Sequence, residues 1–112
     1  MNFPLPDFLF FQEPTWIVTV MAKHLNTKEI MPIECDGWVL IESCKYFFET
    51  FKNLQGVEGA IHHVKEVDFR TMRILYSFMT ALVKSEPIPE PPTNRSQVSK
   101  LIQAGLKLGC TL

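Results

Sequence analysis

An α+β domain, with helices packed on a small sheet, is the fold class that the sequence predicts, and three observations predict it. Two β-branched or alternating runs stand early, "WIVTVMA" at 16–22 and "KEIMPIE" at 28–34. From Val39 onward the apolar residues recur at intervals of three and four, the period of a helix with one buried face. That period returns twice, once after a short strand-like stretch at 60–67 and once after a proline-rich stretch at 84–96.

Taken in order, the two runs form a hairpin across "KHLNT", whose Asn26 is a turn residue. Pro32 cannot donate to a ladder, so the second strand is expected at a sheet edge or at a bulge. Asp36 then caps a helix whose apolar face carries Val39, Leu40, Cys44, Phe47, Phe48 and Phe51, with Gly56 as its stop. The three phenylalanines are expected in the core. Residues 60–67, "AIHHVKEV", read as a strand joining the hairpin. Asp68 caps a second helix that runs to Val83 on Met72, Leu75, Met79 and Leu82. Ile74, Tyr76, Phe78 and Ala81 widen that stripe, so this helix is either sandwiched or presents one face to a partner. Four of the eight prolines fall in 84–96, which is a stiff connector, and Ser96 is expected to cap a last helix bearing Val98, Leu101, Ile102, Gly105, Leu106 and Leu108.

With 112 residues, 46% of them hydrophobic and 21% charged, the chain has the size and composition of one globular domain. Residues 1–15 read as an N-terminal extension and 16–112 as the domain. A net charge of −1 gives no field for phosphate backbones, so nucleic acid is not expected as a partner. The longest apolar runs, Phe8–Phe11 and Trp38–Ile41, fall well short of the roughly 18 residues a membrane span needs. The segment 1–14 lacks a basic start and contains Pro4, Pro6 and Pro14, unlike a secretory signal, so the nucleus or cytoplasm is the expected location. Phe8–Phe11 is either tucked against the sheet or offered to a partner as a strand.

Cys35, Cys44 and Cys110 are odd in number, form no C-x-x-C pair and are expected as free thiols. His24, His62 and His63 lack zinc-ligand spacing, and no metal or cofactor is expected. An enzyme needs a nucleophile or an acid–base pair with an orienting partner, and no such set is legible. Cys35 with His62 or His63 is the one pairing conceivable across the sheet.

The stretch "VLIESCKYFFETF", 39–51, resembles the first conserved helix of the BTB/POZ fold: an apolar pair, Val39-Leu40, a small residue at Cys44, the pair Tyr46-Phe47 and a closing Phe51. "EVDFRTMRILYSFMTA", 66–81, resembles the family's next block. "IPEPP" at 88–92 followed by "LIQAGLKLGC" at 101–110 is similar to the elongin C-like branch of that family, and the likeness spans residues 16–110. The resemblance implies a small three-stranded mixed sheet packed with helices and a non-enzymatic adaptor. Such an adaptor receives a BC-box-like amphipathic helix of a receptor, pairs with an elongin B-like subunit and reaches a cullin of a ubiquitin ligase. Carried over, the partner-helix groove comprises Phe78, Pro91, Val98, Leu101, Ile102, Gln103, Leu106, Lys107 and Cys110. Pro91 and Lys107 depart from the aromatic rings usual there, and "NLQGVEGAIHH" lacks the acidic character often found near the cullin contact. A scaffold subunit of a complex unrelated to ubiquitin is the alternative. The F-box-binding cullin adaptors append helices that are not found here, and dimerising BTB domains begin with a long helix that the three early prolines oppose. A hetero-oligomer is therefore expected over a homodimer.

Overall fold

The computed structural model describes residues 15–110. The expectations for Phe8–Phe11 and for the three early prolines fall outside them. The chain runs β1 (Ile17–Lys23), β2 (Ile30–Asp36), α1 (Gly37–Ser43), α2 (Lys45–Phe51), a 3-10 turn (Lys52–Leu54), β3 (Ile61–His63), α3 (Phe69–Val83) and α4 (Arg95–Leu108). The sheet is mixed, in the order β2-β1-β3: β1 pairs antiparallel with β2, Val18 opposite Cys35, and parallel with β3, Val20 opposite His62. The protein is thus a small α+β domain with a three-stranded mixed sheet and four α-helices among the described residues.

Strand alternation fixes which face of the sheet is covered. Val18, Val20 and Ala22 of β1, with Ile33 and Cys35 of β2, are buried on one face. Against them pack Val39, Leu40, Phe47 and Phe51 from α1 and α2, Met72, Leu75 and Met79 from α3, and Ala104 and Leu108 from α4. Pro32 lies on an edge strand opposite Met21, where its missing N–H costs no central ladder bond. Trp16, fully buried, donates its indole N–H to the Val57 carbonyl at 3.1 Å and lies edge-on to Trp38. Gly37 is glycine because that ring lies over it: a Cβ there would stand 2.5 Å from Trp16 Cδ2 and Cε3.

Caps follow the sequence closely. Asp36 accepts the Trp38 N–H at 2.9 Å, and Asp68 accepts both the backbone N–H and the hydroxyl of Thr71, at 3.0 and 2.8 Å. At the start of α4 the cap is Asn94, which accepts the Gln97 N–H at 3.1 Å, not Ser96; either residue type can cap, and Asn94, in extended conformation, captures the N–H of the third helical residue.

Four further expectations are corrected. The helix expected to run unbroken from Asp36 is split at Cys44, whose backbone is extended (φ −134°, ψ 128°) and forms an antiparallel bridge with Cys110. The expected three free thiols are replaced by a Cys44–Cys110 disulfide and a single free, buried Cys35. Phe48 is not core: it is 43% exposed, because Phe47 and Phe51, one turn apart, take the inward face of α2 and Phe48 lies about 100° round from Phe47. The strand expected over 60–67 is limited to 61–63, since after Val64 donates to the Met21 carbonyl at 2.9 Å the chain bends away towards the α3 cap.

Candidate functional site

α3 and α4 lie side by side, and between them opens a depression of about 320 Å³ lined by Leu75, Phe78, Leu101, Ile102, Gly105, Leu106 and Cys110. The side chains that line it are apolar apart from the one sulfur. Helical spacing explains the arrangement: on α4, Ala104 and Leu108 face the core, Leu101 sits at the boundary, and Ile102 and Leu106, one turn apart, lie on the outer edge. Ile102 is 59% exposed and Leu106 77%, a large apolar surface for one helix to leave in water. Gly105 has nothing within 4 Å of where a Cβ would be, so the missing side chain deepens the depression.

The closed end is built by backbone as well as sulfur. Gly109, at φ 64°, turns α4 off in the left-handed conformation, and the Cys110 N–H returns to the Gly105 carbonyl at 2.9 Å. Lys45 N–H donates to the Gly109 carbonyl at 3.2 Å, and Cys44 is covalently joined to Cys110. The end of α4 is thereby tied to the α1–α2 junction.

Of the residues expected in a partner groove, Phe78, Leu101, Ile102, Leu106 and Cys110 come together in this depression. Gln103 and Lys107 do not line it: both project to the other flank of α4, beside Lys100. Val98 is half-buried and Pro91 exposed, and neither lines the depression. Leu75 and Gly105 were missed as lining residues. Leu75 lies one turn before Phe78, and that i, i+3 relation was the signal available for it.

A wider depression of about 1030 Å³ lies elsewhere, with Ile17, Trp38, Ile41, Phe48 and Val83 in its lining and Glu34, Asp36, Glu42 and Lys84 among its polar residues. Lys84 pairs with Asp36 at 3.4 Å, and the Asp36 N–H donates to the Tyr76 hydroxyl at 2.7 Å, tying α3 to the start of α1.

The conceivable cysteine–histidine pairing is not made. Cys35 and His62 lie on the two outer strands with β1 between them, so their backbones are separated by two strand spacings, about 9–10 Å. Burial, together with the charge of Asp36, pushes the Cys35 thiol up to about 12, and its Sγ faces the Ile33 carbonyl at 3.6 Å. His62 instead meets the Tyr46 hydroxyl through Nε2 at 2.5 Å. Burial lowers the His62 pKa, with His63 adding to it, and burial raises that of Tyr46, with Glu66 adding to it. Both shifts favour a neutral ring accepting from an intact hydroxyl. Among the described residues no group of three or more His, Cys, Asp and Glu is placed to hold a metal ion, and no helix is long and apolar enough to cross a membrane. No known protein-family model matches the chain, and no curated protein matches it either.

Proposed function

We propose that the protein is a non-enzymatic adaptor of the elongin C-like, BTB/POZ kind, which seats an amphipathic, BC-box-like helix of a partner in the depression between α3 and α4. The observation that supports it is the exposure of Ile102 and Leu106 on either side of Gly105, facing Phe78 across an apolar depression. A partner helix would lay anchors at i, i+3 and i+4 into it. Each anchor that becomes fully buried contributes about 1.5–3 kcal/mol before the cost of association. An elongin B-like subunit and a cullin complete the proposed assembly, a hetero-oligomer linking receptors to a ubiquitin ligase.

The nuclear or cytoplasmic location that belongs to this reading sets a reducing environment against the Cys44–Cys110 bridge. There the backbone bond from Lys45 to Gly109 would hold the closed end of the depression in the bridge's place. The alternative, a scaffold subunit of a complex unrelated to ubiquitin, has one observation in its favour. Pro91 and Lys107, which stand where the resembled family has rings, lie outside the depression, so its partner helix need not be the family's.

Fluorescence anisotropy with a labelled BC-box-like helical peptide tests the reading on the wild type, Ile102→Glu and Gly105→Leu. Binding to the wild type and its loss in both variants is the expected result. Gly105→Leu fills the depression without placing a charge in it, so the two variants fail for different physical reasons. Equal binding by all three would remove the depression from the function.

A further inference from the structure

The flank of α4 opposite Ile102 has a different chemistry, and the apolar groove makes no use of it. Two depressions of about 260 and 340 Å³ adjoin there, sharing Lys65, Glu66 and Lys107. The first brings together four lysines from separate places in the chain: Lys23 at the end of β1, Lys65 after β3, and Lys100 and Lys107 two turns apart on α4. None of the four makes an ion pair among the described residues, where the pairs are Lys52–Glu49 and Lys84–Asp36. The acidic residues in the same lining are Glu66 and Asp68. Both oxygens of Asp68 accept hydrogen bonds from Thr71, and with Glu66 it sets two negative charges against four ammonium groups. In a chain of net charge −1 this is a local excess of positive charge.

We infer that this lysine-lined furrow is a second docking site, and that its occupant is an extended acidic peptide segment of a protein partner. Charge complementarity selects the class. Lysines are mobile point charges, suited to carboxylates spaced along a chain, whereas recognition of a single phosphate favours the planar fork of arginine, and no arginine lines the furrow. Three rings line it, Tyr46, His62 and His63; Tyr46 is edge-on to Phe47 and joined to His62 by a hydrogen bond, so successive bases would find no run of free ring faces to stack on. At 100° per residue Lys100 and Lys107 point about 140–160° away from Ile102, so the furrow and the apolar groove can be filled at the same time. The inference needs nothing from the groove reading.

The test is anisotropy of a fluorescein-labelled octaglutamate peptide at about 50 mM salt, on the wild type, Lys100→Gln/Lys107→Gln and Ile102→Glu, with octaglutamine and an oligothymidylate of equal charge as comparators. Expected are binding of octaglutamate that fades by about 300 mM salt, a weakening of about tenfold or more in the double variant, and wild-type affinity in Ile102→Glu. Lys107 is exposed and Lys100 half-buried with no ion pair among the described residues, so a melting temperature close to that of the wild type is expected alongside. Absence of octaglutamate binding, equal binding by the double variant, or tighter binding of oligothymidylate would each overturn the inference.

Discussion

Gly37→Ala adds one methyl group at a place where the structure leaves no room for it. The new Cβ would lie 2.5, 2.5 and 2.8 Å from Trp16 Cδ2, Cε3 and Cε2, against an ordinary carbon–carbon separation of about 3.5–4.0 Å. The ring would have to move by about 1 Å. It is held by the hydrogen bond to Val57 at 3.1 Å and by edge-on contacts with Trp38 and Phe51, at centroid distances of 4.8 and 6.3 Å. Overpacking of this kind costs about 1–3 kcal/mol, and losing the indole hydrogen bond adds about 1 kcal/mol. The gain from replacing glycine in a helix is about 1 kcal/mol, so the net expectation is a loss of about 1–3 kcal/mol. In urea unfolding, where the slope for a small domain is about 1–3 kcal/mol/M, the midpoint should fall by about 1 M. Gly105→Ala is the internal control: it is the same substitution on α4, but nothing lies within 4 Å of its Cβ. It should raise stability by about 0.4–1 kcal/mol. A Gly37→Ala midpoint equal to or above that of the wild type would refute the packing argument around Trp16.

Three further outcomes are expected. Without reductant, the native protein should label at no thiol and the urea-unfolded protein at one, Cys35; two labelled thiols or more in the unfolded, unreduced protein would contradict the disulfide. Cys110→Ser should cost about 2–4 kcal/mol in non-reducing urea unfolding, as expected for opening a bridge that spans 66 residues, and should make stability indifferent to reductant. Because the folded His62 pKa lies below its ordinary value of 6.5, the neutral ring stabilises the fold above that value, and this contribution is lost as pH falls through the folded pKa. Urea midpoints should therefore decline between about pH 7.5 and pH 5, and His62→Gln should flatten that part of the decline; an unchanged slope would refute the role of the Tyr46–His62 pair.

What the sequence made legible follows from how local each signal is. Asp36 and Asp68 cap where their types and positions predict, and Met72, Leu75 and Met79 are buried in the period that their spacing announces, whereas Leu82, the last of that stripe, is exposed near the end of α3. The missing N–H of Pro32 limited its strand to an edge or a bulge, and the structure has it at the edge. Misread features depend on distant partners. Cys44 looks like one more apolar position on a continuous helix, and only its pairing with Cys110, 66 residues away, gives it an extended backbone and breaks that helix. Phe48 falls on the same wide stripe as Phe47, yet the sheet accepts only the arc that contains Phe47 and Phe51. At the candidate site, the apolar edge of α4 was readable from Leu101, Ile102 and Leu106. Which flank Gln103 and Lys107 occupy depends on the rotation of α4 against α3, which no local pattern fixes.

The proposed adaptor role rests on the depression between α3 and α4, and the most direct test is mass spectrometry of proteins co-purifying with the tagged chain, beside Ile102→Glu. Because Ile102 is exposed, the variant should fold, with a melting temperature close to that of the wild type. The account predicts recovery of an elongin B-like subunit or a cullin with the wild type, and loss from the variant of those partners that carry a BC-box-like helix. An unchanged partner set in a folded Ile102→Glu, or a variant that no longer folds, would contradict it.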